Sequence, residues 1–186
     1  LDLTEGAEVV DFGAGTGLFA IEAARRGLEV TAVDVSREMI SYAKNKAEKA
    51  GVDGITFVHD GFLSYERPNE STDAVVSSYA LHHLPDLWKG VALERIHDML
   101  ISSGRFFLRD VVVADDAPLG HMQGFIDDQA DSGGEKSRKD AEGHFREEFS
   151  TYDWIMEELL ERAGFTVEDQ SLEDGVFAEY LAVKEG

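Results

Sequence analysis

Gly13, Gly15 and Gly17 alternate directly behind the apolar run Val9-Val10-Asp11-Phe12, and a helical pattern opens at Leu18. This stretch constrains the fold more than any other. A buried strand must enter a tight turn and then a helix, and residues without a Cβ accept the positive φ angles and close approaches that such a turn demands. Main-chain N–H groups at a junction of this kind converge on a bound ligand. The spacing also separates cofactor classes. In the dinucleotide pattern G-x-G-x-x-G the third glycine would fall on Leu18, whereas here the run is G-x-G-x-G, led by Asp11.

The rest of the chain alternates strand and helix patterns. Apolar residues at helical spacing run from Leu18 to Arg26 and stop at Gly27. Residues 28–35 read as a second strand carrying Asp34 near its end, and Ser36 can cap a helix that closes at Gly51. A third strand, Ile55 to His59, leads into Asp60-Gly61-Phe62, and a fourth covers Thr72 to Ser78. Leu87, Val91, Ala92, Ile96 and Leu100 form one helical stripe, after which Ser102-Ser103-Gly104 turns the chain into a fifth strand, Arg105 to Val113. Such alternation predicts right-handed βαβ units and a parallel sheet. The end differs. A helix from about Tyr152 to Ala163 stops at Gly164, and two β-rich runs then flank Glu173-Asp174-Gly175, a strong antiparallel hairpin signal. Residues 1–186 read as one domain, in which 114–150 have no place in the minimal sheet. That polar segment has Gly133-Gly134 at its middle and weak helical patterning on both sides. It is either a surface insertion or a lid over the carboxyl ends of the strands.

Composition narrows the partners. Seventeen Lys and Arg against thirty-eight Asp and Glu leave a net charge of −21 in 186 residues. A surface of that sign repels phosphate backbones and anionic lipid, so neither nucleic acid nor membrane is expected as a partner. No apolar run approaches the roughly 18 residues of a membrane span, and no signal-peptide pattern opens the chain. The sequence has no cysteine, which excludes disulfides, thiolate metal sites and cysteine nucleophiles and makes the cytoplasm the default location. No metal site is expected, because His121 and His144 lie in the 114–150 segment without His-x-x-x-His spacing. The chain starts without a methionine and enters its first strand almost at once, which leaves room for an upstream segment. The oligomeric state stays open.

The Asp11-led glycine run resembles the first motif of the class I S-adenosylmethionine-dependent methyltransferases. The segment 81–86, Leu-His-His-Leu-Pro-Asp, resembles the broad group within that family that acts on small molecules. The (Asn/Asp)-Pro-Pro-(Tyr/Phe) of enzymes that methylate amide or adenine nitrogens is missing at this point. The fifth strand and the 159–165 run before the hairpin fit the same group, so the resemblance covers nearly the whole chain. It implies an α/β, doubly wound, seven-stranded and mostly parallel sheet of order 3-2-1-4-5-7-6 with a C-terminal antiparallel hairpin. It also implies S-adenosylmethionine as cofactor, S-adenosylhomocysteine as product, and a small-molecule acceptor. The lack of cysteine removes the covalent route used on RNA cytosine C5.

By that resemblance Asp11 orders the loop and orients the methionine ammonium, unless it only pairs with loop amides. Gly13 and Gly15 neighbour the methionine part, and Gly17 completes the loop. Asp34 can accept both ribose hydroxyls, or it is a turn aspartate near a helix start. Asp60 would meet the adenine amino group with the Gly61 N–H toward the ring, and Phe62 either walls the adenine or belongs to the core. Ser77, at the end of the fourth strand, joins the cofactor set. His82 and His83 sit where the transferred methyl should point. Asp110 reaches the same cleft or else pairs with Arg109 or Arg105. His82, His83 and Asp110 are the catalytic candidates, although in-line displacement at a sulfonium needs mainly alignment and desolvation, with a base optional. Two other readings remain open at this level: a protein that holds S-adenosylmethionine without turnover, and a nucleotide-cofactor oxidoreductase, against which Leu18 and the hairpin speak.

Overall fold

The computed structural model describes residues 1–185. Strands β1 (Glu8–Phe12), β2 (Glu29–Asp34), β3 (Ile55–His59), β4 (Thr72–Ser78) and β5 (Leu100–Val113) pair in parallel. Two residues, Thr151–Tyr152, form β6 against the far end of β5, and β7 (Phe165–Glu173) and β8 (Phe177–Lys184) close the sheet. The order is β3-β2-β1-β4-β5-β8-β7, with β8 antiparallel to β5 and β7 antiparallel to β8. The expected order is therefore observed; β6 alone was not expected and shifts the last two labels by one.

Helices cover both faces, as parallel sheets require. Val10, Phe12 and Val75 point into a core shared with α3 (Asp86–Met99) and α5 (Asp153–Arg162). Across the sheet, α1 (Leu18–Arg25) buries Ala20 and Ala23 against Val30 and Ala32. The caps follow the sequence signals. Ser36 accepts the Met39 N–H at 3.2 Å at the start of α2 (Arg37–Ala50), and Gly51 ends that helix at φ 63°. Asp174 and Gly175 both take positive φ (54° and 68°), as a tight hairpin turn requires.

Two details differ from expectation. On α3 the buried stripe is Lys89, Ala92, Leu93, Ile96 and Met99, while Leu87 points to solvent. Ala92, Ile96 and Leu100 are buried as expected, whereas Lys89 reads as polar yet belongs to the inner face. The Ser102-Ser103-Gly104 turn is a bulge inside β5, where the pairing with β4 jumps from Thr72↔Leu100 to Ala74↔Arg105.

Residues 114–150 carry α4 (Pro118–Glu147), which breaks at Gly134 (φ 70°, ψ −162°), where the glycine pair predicted an interruption. The far end of this segment is fastened. Phe149 donates its N–H to His82 O at 2.9 Å, and its carbonyl accepts from the Lys89 ammonium, which also pairs with Asp86 at 2.7 Å. Thr151 Oγ1 donates to the other Asp86 oxygen at 3.2 Å. Lys89 is completely buried, so its charge depends on these partners. Lys89→Met should loosen the 148–151 segment and cost about 1.5–3 kcal/mol, the range for hydrogen bonds to a charged group. At roughly 2–4 °C per kcal/mol for a chain of this size, calorimetry should record a clear fall in Tm, with faster proteolysis between β5 and α5.

Candidate functional site

The carboxyl ends of β1 to β4 meet where the connections diverge to opposite faces of the sheet, the switch point at which such sheets bind ligands. A cavity of about 490 Å³ opens there, lined by Gly13, Gly15, Asp34, Asp60, Tyr79 and Ala80 among others. Gly13 and Gly17 have φ of 71° and 70°, and a Cβ on Gly13 would overlap that of Ala80. The missing side chain is what lets Ala80 pack against the loop.

The acids take distinct environments. Asp34 Oδ2 accepts the Gly15 N–H and its Oδ1 the Ser36 N–H, both at 2.8 Å. It thus ties the glycine loop to the start of α2, and each oxygen keeps a second acceptor site directed elsewhere. Asp60 Oδ1 accepts the Gly61 N–H at 2.8 Å and the Ser64 hydroxyl. Those two bonds, the hydroxyl first, hold the Asp60 carboxyl below its ordinary range. The Gly61 N–H is therefore turned onto Asp60 itself. Asp11 is buried at 3% exposure, and its Oδ2 has no hydrogen-bond partner among the described residues, so pairing with loop amides does not satisfy it. Burial, reinforced by the nearby charge of Asp34, raises its pKa from 3.8 to about 7. Ser77 Oγ, on the strand beside Phe12, is likewise buried and unpartnered. Phe62 stacks on Phe12 at 4.9 Å and lines the cavity, so it serves both the core and the wall.

A second cavity, about 400 Å³, adjoins the first; Tyr79 and His83 line both. Its walls come from β5, α4 and the hairpin: Val111, Phe125, Phe145 and Phe177. Tyr79 holds a positive φ of 53° without being glycine, a strained conformation of the kind that clusters at functional sites. Its N–H donates to Arg109 O at 2.8 Å, and its ring meets Phe177 edge-on at 5.8 Å.

Of the catalytic candidates, His82 and Asp110 come together and His83 stands apart. Asp110 is completely buried and accepts the His82 N–H at 3.0 Å through one oxygen and its Nδ1 through the other. Arg109 instead pairs with Glu173 and Glu179, and Arg105 with Asp2 and Glu168. His83 is exposed on the rim of both cavities. Sequence reasoning missed Glu148 and its coupling to His144. The i, i+4 spacing His144-x-x-x-Glu148 was the available signal, since it puts both side chains on one helical face. Glu148 Oε2 lies 2.9 Å from His82 Nε2 and 2.5 Å from His144 Nδ1.

Comparison with known proteins bears on the family and the fold. Residues 9–104 match the family described as a methyltransferase domain. An uncharacterized methyltransferase of Bacillus mycoides is 31% identical over 159 residues, covering 86% of this chain and 69% of that protein. The S-adenosylmethionine-dependent methyltransferase of Mesorhizobium loti superposes with a TM-score of 0.73 at 20% identity, over 98% of this chain and 93% of that one. The magnesium protoporphyrin IX methyltransferase of Synechocystis, solved with bound S-adenosylmethionine, gives 0.68 at 18% identity, over 97% and 71%. These two structures share the fold, while the family match and the Bacillus relative carry the membership. A glycine loop on a buried β1, the 3-2-1-4-5 order and the closing hairpin, together with those matches, place this chain among the class I S-adenosylmethionine-dependent methyltransferases.

Proposed function

We propose that the chain binds S-adenosylmethionine in the β1–β4 cleft and methylates a small-molecule acceptor held in the second cavity. The observation that carries this reading is the contact between the two cavities at Tyr79 and His83. A donor in one and an acceptor in the other would face each other across that junction. The cleft suits the cofactor chemically: the space beside Gly15 is open, and the orphaned Asp11 and Ser77 oxygens call for a partner that the described residues do not supply.

When bound, S-adenosylmethionine supplies an electrophilic methyl on a sulfonium whose departure leaves a neutral thioether. The chain's own residues bind and align. Asp34 accepts ribose hydroxyls through its free lone pairs, Asp60 offers its second oxygen to the adenine amino group, and Asp11 answers the methionine ammonium. Gly15, Gly17 and Gly61 keep the main chain close, with Val35 and Met39 as apolar contacts on the cleft wall. Phe125, Phe145 and Phe177 exclude water from the acceptor, which strengthens every electrostatic interaction inside. Asp110 fixes the His82 ring so that Nε2 faces Glu148 at the acceptor cavity, and His83 stands at the junction. Alignment and desolvation are the main catalytic work. Residues 114–150, which wall the second cavity through α4, act as the lid of a single domain. The net charge of −21 supports a small acceptor over a polyanion or an anionic membrane, and no helix among the described residues is long and apolar enough to cross a bilayer.

Titration calorimetry with S-adenosylhomocysteine tests the cofactor half. The wild-type protein should bind it and ignore NAD. Asp34→Ala should lose about 2 kcal/mol of binding, the scale of charge-assisted hydrogen bonds. Equal affinities in the two proteins would remove Asp34 from the site. A radiolabelled-methyl screen over small hydroxyl, amine and carboxylate compounds then tests the acceptor half, and binding without transfer to any of them would favour a non-catalytic binder.

Asp11 adds a pH dependence. Its pKa is higher in the folded protein than the ordinary 3.8, so its contribution to stability is fully present below that value and is lost as pH rises through about 7. Asp11→Asn carries no such penalty. Without ligand, its Tm should exceed wild type at pH 8, by an energy on the order of a few kcal/mol, and the gap should close toward pH 4. Its affinity for S-adenosylhomocysteine should nonetheless be lower, because a carboxylate facing the ammonium is gone. A constant Tm difference from pH 4 to pH 8 would show that Asp11 does not titrate in this range.

A further inference from the structure

We propose that His82, His144 and Glu148 form a binding site for a divalent transition-metal ion of the zinc type, placed to hold an oxygen of the acceptor. Their nitrogen and oxygen atoms lie within 4.8 Å of one another at the floor of the second cavity. They come from two separate places in the chain: His82 from a 3₁₀ turn (Leu81–His83) after β4, and His144 and Glu148 from the far end of α4 and the residue that follows it. Two imidazoles and one carboxylate are a borderline donor set, suited to zinc and its neighbours rather than to magnesium or calcium.

Each ring is fixed so that one nitrogen faces inward. His82 Nδ1 is held by Asp110, which leaves Nε2 toward Glu148, and His144 Nε2 meets Ser150 Oγ at 3.0 Å, which leaves Nδ1 toward Glu148. Carboxylate and hydroxyl partners behind the histidines are the usual support of a metal ligand. Glu148 Oε2 is the telling atom. It is buried, with ring nitrogens 2.9 and 2.5 Å away, and no well-aligned hydrogen bond from either ring satisfies it. Electron-rich atoms converging in this way repel unless a cation lies between them. Bonds of about 2.0–2.2 Å to a tetrahedral ion put neighbouring ligand atoms about 3.3–3.6 Å apart, so Glu148 swings outward and the two imidazoles close on a common point when an ion enters. The segment carrying Glu148 is fastened by Phe149 to His82 O and to Lys89, so the ligands stay in place without the ion.

Three protein ligands leave coordination positions open. The open side here is the cavity walled by Phe125, Phe145 and Phe177. The acceptor class that follows is a small molecule with an aromatic or apolar body and a hydroxyl or carboxylate oxygen. This last step rests on the methyl-transfer reading above, whereas the metal site stands on its own geometry.

Cobalt(II) is the probe, added to untagged, chelator-treated full chain. One equivalent should saturate with visible absorption bands of nitrogen- and oxygen-bound cobalt, zinc should displace it, and zinc should raise Tm. His144→Ala and Glu148→Gln should each weaken cobalt binding more than tenfold, and Asp110→Asn roughly 10- to 100-fold. His121→Ala, which removes the histidine paired to Asp116 outside the cluster, should bind as wild type does. Glu148→Gln preserves shape and decides the matter if His144→Ala does not fold. Absence of saturable one-equivalent binding, or binding that survives both ligand variants, overturns the site. Titration with S-adenosylhomocysteine in parallel separates the failures: cofactor binding without metal binding sinks this inference alone, and loss of both sinks the methyl-transfer reading as well.

Discussion

The Asp110 carboxylate organises the part of the molecule around the second cavity. It is fully buried at the end of β5 and is neutralised by hydrogen bonds to the main chain and ring of His82 and to the Val111 N–H. A buried carboxylate without such donors would cost several kcal/mol. Satisfying it folds the chain after β4 into the 3₁₀ turn Leu81–His83 and sets the His82 ring at a fixed angle. The His82 carbonyl then accepts the Phe149 N–H, Lys89 donates to the Phe149 carbonyl, and Asp86 joins Lys89 to Thr151 at the start of β6. One buried charge thus propagates through polar contacts until α4 is tied over the second cavity.

How much of this was readable from residues depended on the range of the forces involved. The glycine loop, the Ser36 cap, the Gly51 stop and the Asp-Gly hairpin are local devices whose residue types state their geometry, and all four are present as expected. The parallel sheet follows from their sequence along the chain. Lys89 misled because its burial depends on Phe149, sixty residues away. The Asp110–His82 pair has the same character: strand alternation placed Asp110 near the cleft, but its partner depends on how β4 ends. The His82, His144 and Glu148 cluster was out of reach, because no spacing rule joins a turn after β4 to the end of a helix beyond β5.

The candidate cleft is also an electrostatic device. Asp11, Asp34 and Asp60 lie at or near the carboxyl ends of three neighbouring strands, Asp34 and Asp60 line the cavity, and the charge of Asp34 acts on buried Asp11. Their environments differ: Asp60 is held ionised by its hydrogen bonds, whereas Asp11 sits near the midpoint of its titration at neutral pH. A cationic guest stabilises the ionised form of Asp11, whereas a neutral or anionic guest does not. The cleft therefore discriminates by charge, a selectivity that hydrogen-bond geometry alone would not provide.

The position of β8 has a consequence for how the chain is made. It is the last strand in sequence, yet it lies between β5 and β7 and supplies the Phe177 wall of the second cavity. Until it emerges from the ribosome, β5 exposes an unpaired edge over Arg105 to Val111, which holds Phe106, Phe107, Leu108 and Val111. Such an edge invites pairing with other nascent chains. The first five strands can assemble early into the β1–β4 cleft, but the second cavity is completed only after β8 has been made. A truncated product of translation would carry half a site and an adhesive edge, making it a natural client for chaperones and proteases.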